Sequence, residues 1–216
     1  MASLYIADVT GLRDPAVYRR RTASLPEWKK KELDRCMYQD DRARGAGAFL
    51  LLAEVWKNTG HYELLHIKKG AYGKPYIVED PSFHYNISHA GRYVLLGTAS
   101  SELGVDIEEI GNIHQSLAER FFSEEERRRI GESENPEREF YRIWTMRESY
   151  VKRIGGGLSV DFRSFSLSEG KAAAVESGGK TIKNYFHEVV QIPGYAVSVS
   201  LETEETVDLI PVFLLW

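Results

Sequence analysis

A short internal echo constrains the fold of this 216-residue chain more than any other feature. Phe83-His84 is followed by Gly91 and then Tyr93-Val94-Leu95, while Phe186-His187 is followed by Gly194 and then Ala196-Val197-Ser198. The Phe-to-Gly spacing is the same in both copies, and the offset between them is close to half the chain. Hydrophobic periodicity repeats on the same scale. A strand at 4–9, helical patterns at 28–38 and 40–57, and strands at 76–78, 83–87 and 93–98 make one set. A strand at 103–107, helical patterns at 116–130 and 136–154, and strands near 165–167, 172–175, 183–190, 195–201 and 207–213 make the second. The pattern of strand, helices and strands therefore occurs twice, which implies an α+β protein of two similar halves, 1–102 and 103–216. The second copy has Gln191-Ile192 where the first has Ser88-His89, so any chemistry is asymmetric and belongs between the halves.

Local signals sharpen the helices. Ser24-Leu25-Pro26-Glu27 has the S-x-x-E form of a capping box, and Ser123-Glu124-Glu125-Glu126 starts a second turn of the same kind. Pro136 opens the longest helix and Gly155-Gly156-Gly157 stops it. In the second helix Phe49, Leu50, Leu52, Ala53 and Trp56 form the expected core face.

Composition excludes several classes. With 43% apolar and 28% charged residues, the chain reads as an ordinary globular protein. A net charge of −4 gives no global reason to bind nucleic acid or an anionic membrane, so neither partner is expected. The lone Cys36 excludes an intramolecular disulfide and a Cys-rich zinc site. No apolar run approaches the roughly 18 residues of a membrane span and the N-terminus does not read as a signal peptide, so the expected location is the cytoplasm.

Chemistry gathers between Asn86 and Glu108 and on the longest helix. N-I-S-H (86–89) reads as a polar turn, and G-V-D-I-E (104–108) as a strand. Asp106 and Glu108, two apart, project to one side of that strand, which reads either as a solvated acidic strand end or as a pair that repels unless a cation or a shared proton lies between them. Hard divalent cations such as Mg²⁺ take oxygen ligands of this type. Trp144, Glu148 and Lys152, at i, i+4 and i+8, line one helix face. Read alone, they are a core tryptophan beside an ordinary Glu–Lys pair. Read with the strand acids, they supply a third carboxylate and a donor to an anion, which suits a metal-bound diphosphate. Lys29, Lys30, Lys31, Arg42 and Arg44 give a basic surface that reads either as an ordinary solvated helix face or as a holder of a terminal phosphate.

N-I-S-H (86–89), G-V-D-I-E (104–108), R-F-F-S-x-x-E (120–126) and W-T-M-R-E-S-Y-V-K (144–152), in this order and spacing, resemble the 4′-phosphopantetheinyl transferases of the Sfp type, as do the weaker G-K-P (73–75) and G-G-L-S (156–159). The resemblance covers nearly the whole chain. It implies a pseudo-dimer of two α+β halves with coenzyme A and Mg²⁺ in the cleft between them. It also implies transfer of phosphopantetheine from coenzyme A to a serine of an apo acyl or peptidyl carrier protein. By position, the resemblance makes Asp106, Glu108 and Glu148 the metal ligands, with Glu148 and Lys152 catalytic and Lys152 on the diphosphate. Ser88 and His89 would contact coenzyme A phosphates. Arg44 and one or two of Lys29, Lys30 and Lys31 would hold the 3′-phosphate, and Lys74 with Pro75 would form the adenine-side loop. Glu126 matches an acid of the family whose role is open. Arg147 departs from the family's lysine before the helix glutamate and is a poor proton carrier. Ile113 and Leu117 are candidates for an exposed carrier-docking patch with Arg120 beside it, whereas Phe121 and Phe122 are expected in the core. Two halves in one chain imply a monomer. The same acids and lysine would also serve a Mg²⁺-dependent hydrolase of a nucleotide diphosphate.

Overall fold

The structure, a computed structural model, describes residues 1–61, 65–167, 172–177 and 180–212, with the backbone alone at 158, 172–177 and 180–182. The first half runs β1 (Ala2–Asp8), α1 (Pro15–Thr22), α2 (Glu27–Leu33), α3 (Gln39–Asn58), β2 (Ile67–Lys69), β3 (Pro75–Ile77), β4 (His84–Ala90) and β5 (Tyr93–Ala99). The second runs β6 (Leu103–Glu109), α4 (Gln115–Phe121), α5 (Glu124–Glu132), α6 (Pro136–Ile154), β7 (Phe165–Leu167), β8 (Ala172–Ser177), β9 (Lys180–Glu188) and β10 (Tyr195–Leu201). A last strand, β11 (Val207–Pro211), returns to the first sheet.

The repetition expected from the echo is present in the topology. One sheet has the order β11-β1-β5-β4 and the other β6-β10-β9-β8-β7, with β2-β3 as a separate hairpin. In each, the first strand of a half lies antiparallel to its last hairpin strand: Ile6 opposes Leu95 and Val105 opposes Val199. Gly91 and Gly194, the glycines of the echo, both have positive φ (52° and 78°) just before β5 and β10. Parallel pairing of β11 with β1, Leu4 opposite Leu209, covers the free edge of the first sheet.

Apolar burial forms one cluster within the first half and another that spans both halves. Leu51, Leu52, Val55 and Trp56 of α3 pack with Leu96 and Val94 of β5, while Leu103, Val105 and Ile107 of β6 pack with Val197 and Val199 of β10 and Leu95 of β5. Leu50 and Ala53, expected on the core face of α3, are half-buried, and the face is centred one residue further round on Leu51 and Val55.

Three local expectations change. N-I-S-H is not a turn but part of β4, and the chain reverses at Gly91-Arg92. Its polar residues are there to serve a neighbouring strand: Asn86 Oδ1 accepts the Val105 N–H at 3.0 Å and Ser88 Oγ accepts that of Ile107 at 3.4 Å. The Ser24 capping box does not form, because α2 begins at Glu27, directly after Pro26, with no side-chain cap. Conversely, α1 is capped by Asp14, whose carboxylate accepts the N–H groups of Ala16 (2.8 Å) and Val17 (3.0 Å) ahead of Pro15 at the first turn. Phe213, expected in the last strand, lies outside the described residues.

The position of β6 depends on Gly104. A Cβ there would lie 1.9 Å from the Ser149 carbonyl oxygen and 2.4 Å from the Arg153 nitrogen, both α6 backbone atoms. Only a residue without a side chain lets strand and helix approach this closely. Gly104→Ala is therefore expected to destabilise the fold by about 3 kcal/mol or more, since rigid backbone rather than a mobile side chain must give way. Urea denaturation measures this directly.

Candidate active site at the junction of the two halves

α6 has the start and stop that its sequence dictates. Asn135 accepts the Arg138 N–H at 2.9 Å, Pro136 occupies the first turn, and Gly155 ends the helix. The close approach at Gly104 brings β6 beside it, so Asp106 and Lys152 meet. Lys152 Nζ lies 2.5 Å from Asp106 Oδ1 and donates to Ser88 Oγ at 3.0 Å. Ser88 Oγ donates to Asp106 Oδ1 at 2.8 Å. Asp106 is only 3% exposed, and its Oδ2 is buried without a hydrogen-bond partner. Glu108 and Glu148 share the surrounding cleft of about 430 Å³, which Lys29, Ser88, His89 and Lys152 also line.

Burial and crowding of like charge govern this cleft. Desolvation, with the Asp106 charge second, pushes Glu108 up to about 7, while Lys152 and the Trp144 indole favour its charged form. Glu148 is raised for the same leading reasons. Lys152 is thus paired with Asp106 and near enough to Glu108 and Glu148 to favour their charged forms. The donor chemistry suits a hard divalent cation, and Asp106 Oδ2 is an orphaned buried oxygen. Among the described residues, however, no three acidic, histidine or cysteine side chains are gathered closely enough to hold a metal ion as they stand.

The basic residues divide sharply. Of the lysine run, Lys29 reaches the cleft, with its side chain 11% exposed and Nζ 2.9 Å from Glu32. Lys30 pairs with Glu27 at 3.0 Å and Lys31 is exposed, and neither lines the cleft. Arg44 bonds Asp41 at 2.5 Å and the Gly91 carbonyl at 3.1 Å beside His89, in an adjoining cavity of about 590 Å³. His89 is exposed and borders both cavities; desolvation first, then Arg44 and Lys152, lower its proton affinity from the ordinary histidine value. Lys74 is turned inward. It donates to Glu102, to the Leu103 carbonyl at 3.1 Å and to that of Arg153 at 2.8 Å, which pins its loop to β6 and the end of α6. Lys74 and Pro75, with Tyr72, Val151 and Phe162, line a cavity of about 310 Å³ that also reaches Glu148 and Lys152.

Glu126 and Arg147 belong to each other rather than to the cleft. Ser123 and Glu126 complete the expected capping box of α5. The Glu126 carboxylate then accepts from Arg147 Nη2 at 2.6 and 2.8 Å and from Nε at 3.1 Å, with both side chains 1% exposed. Arg147 also donates to the carbonyls of Phe162 (2.7 Å) and Phe165 (3.3 Å) and lies over the Phe165 ring at 4.8 Å. Its five donors suit this role, which a proton carrier would not need. Phe122 is buried, as expected, but Phe121 is only half-buried, and Ile113 and Leu117 are half-buried against the same cluster rather than exposed, with Arg120 exposed beside them. Sequence reasoning missed Asn86, whose signal was an amide inside an otherwise strand-like run. It also missed Phe162, stacked on Trp144 at 5.6 Å, for which no motif offered a signal.

Comparison with known proteins places the chain in a family. Residues 102–200 match the model of the 4′-phosphopantetheinyl transferase superfamily, and residues 14–101 match that of the 4′-phosphopantetheinyl transferase N-terminal region. The 4′-phosphopantetheinyl transferase ffp of Bacillus subtilis is 33% identical over 177 residues, covering 79% of each chain. A further 4′-phosphopantetheinyl transferase of Bacillus subtilis is 32% identical over 153 residues, 68% of each chain, and the Sfp enzyme of strain 168 is 36% identical over 132 residues, 59% of each. The chain is a member of the 4′-phosphopantetheinyl transferase superfamily, of the Sfp type.

Two outcomes are expected. Arg147→Met or Glu126→Gln leaves a buried charged partner without its counterpart and should cost about 3–5 kcal/mol in denaturant unfolding. Because Glu108 binds its proton more tightly when folded, its contribution to stability is complete below its ordinary value of 4.5 and is lost as pH rises through about 7. In EDTA the protein should lose on the order of 1–3 kcal/mol between these values, after allowance for partial solvent screening, and Glu108→Gln should flatten the profile.

Proposed function

We propose that the chain transfers the 4′-phosphopantetheine moiety of coenzyme A to a serine of an apo acyl or peptidyl carrier protein, giving the holo carrier and 3′,5′-ADP. The observation that carries this reading is the convergence of Asp106, Glu108, Glu148 and Lys152 at the seam between the halves, in a member of this family. We infer a dependence on Mg²⁺, held by Asp106, Glu108 and Glu148. Bound there, it would offset charge on the diphosphate.

The chain's own residues supply the rest. Lys29 lines the cleft and Arg44 the cavity adjoining it, with His89 bordering both, and these three would hold the 3′-phosphate. The cavity beside Pro75 and the Lys74 loop would take the adenine side. The carrier's serine oxygen forms the new bond to the β-phosphorus as the bond from that phosphorus to the bridging oxygen of 3′,5′-ADP breaks. Glu148, whose proton affinity is raised by burial, would take the serine proton. Lys152, on the same helix face, would stabilise the departing phosphate. Leu117 and Ile113 would meet the carrier with Arg120 steering an acidic surface. Because one chain furnishes both banks of the cleft, it would act as a monomer, and a reaction that consumes coenzyme A would place it in the cytoplasm. Among the described residues no helix is long and apolar enough to cross a membrane.

Mass spectrometry of apo carriers incubated with coenzyme A and Mg²⁺ tests the reading. A gain of one phosphopantetheine, abolished by EDTA, is expected. Release of phosphopantetheine without a carrier would instead identify a hydrolase. Glu148→Gln should lower turnover at least about 100-fold with the fold retained, the scale set by loss of a general base.

A further inference from the structure

We propose that Ser88 is a positioning residue: its buried hydroxyl fixes Asp106 Oδ1 and the Lys152 ammonium, leaving Asp106 Oδ2 as the oxygen offered to a divalent cation. This rests on the reading of Asp106 as a cation ligand, and it gives Ser88 a task other than contact with a phosphate.

Hydrogen-bonding capacity limits what Ser88 can hold. A serine hydroxyl has one proton to donate and two lone pairs to accept with. In Ser88 the proton goes to Asp106 Oδ1 at 2.8 Å. One lone pair receives Lys152 Nζ at 3.0 Å and the other the Ile107 N–H at 3.4 Å. The side chain is 7% exposed, so its partners are fixed by the protein rather than exchanged with solvent. Nothing remains for a phosphate oxygen unless one of these bonds breaks.

The hydroxyl and its three partners come from three elements. Ser88 belongs to β4, Asp106 and Ile107 to β6, and Lys152 to α6. The hydroxyl therefore sets the orientation of a carboxylate in one half from a strand of the other. Asn86, two residues earlier on the same face of β4, holds the Val105 N–H and fixes the strand register. With Oδ1 bonded twice, rotation of the Asp106 carboxylate would break two charge-assisted hydrogen bonds. Its second oxygen, Oδ2, has no partner and is defined in position by the first. Outer groups that orient a ligating carboxylate act in this way on metal affinity.

Ser88→Ala and the volume-conserving Ser88→Cys separate positioning from phosphate contact. Mn²⁺ binding is read by electron paramagnetic resonance without coenzyme A. Coenzyme A binding is read by calorimetry in EDTA, and folding by circular dichroism. The expected result is Mn²⁺ affinity weakened about tenfold or more, as for other groups that orient a metal ligand, with coenzyme A affinity changed less than about threefold. Unchanged Mn²⁺ affinity with weakened coenzyme A binding would overturn the proposal and make Ser88 a direct ligand of the phosphates. If Ser88→Ala does not fold, Ser88→Cys decides between the same two outcomes. A wild-type protein that binds no Mn²⁺ would overturn both this proposal and the cation reading, while its transfer of phosphopantetheine to a carrier judges the reaction separately.

Discussion

The structure depends on how β4 meets β6. These two strands belong to different sheets and share no backbone ladder; they are joined by the side chains of Asn86 and Ser88. An unpaired strand edge buried inside a protein leaves N–H groups that must be satisfied. Here the amides of Val105 and Ile107 find a side-chain oxygen each. The same contact delivers Asp106 to the seam and leaves its side chain within reach of Lys152 on α6. Architecture and chemistry therefore have one origin, and Gly104 permits both by letting β6 lie against the helix backbone.

Charge is arranged in two ways within a short distance along α6. Arg147 and Glu126 form a closed pair, buried and saturated with hydrogen bonds, that ties α5 and the segment before β7 to the helix. One residue on, Glu148 faces the cleft, where Asp106, Glu108 and Glu148 lie with Lys152 while Lys29 pairs with Glu32. The first arrangement is electrostatically complete and suits a structural part. In the second, burial first and the Asp106 charge next raise the proton affinity of Glu108 and Glu148, which favours added positive charge. Helical periodicity separates the two roles, since adjacent residues face about 100° apart.

Much of this was legible in the sequence. The echo around Gly91 and Gly194, the limits of α6 and the shared face of Trp144, Glu148 and Lys152 follow from local rules of turn chemistry and periodicity. What was not legible depends on tertiary partners. Asn86 and Ser88 look like a turn because polar residues are uncommon in strands, and only the neighbouring edge of β6 explains them. Lys74 looks like a free cation until the carbonyls of Leu103 and Arg153 and the carboxylate of Glu102 are brought to it. The register of the lysine run was open for the same reason: three adjacent residues differ only in direction, and packing of α2 selects Lys29. Arg147 in place of lysine found its reason in the fork of donors needed by Glu126 and two carbonyls.

The central claim is that the seam between the halves builds one site for a divalent cation and the diphosphate of coenzyme A. Anomalous diffraction from crystals grown with Mn²⁺ and coenzyme A tests it most directly. The account predicts a single strong anomalous peak bounded by Asp106, Glu108 and Glu148, with the diphosphate beside Lys152. A peak elsewhere, or coenzyme A bound away from the seam, would contradict it.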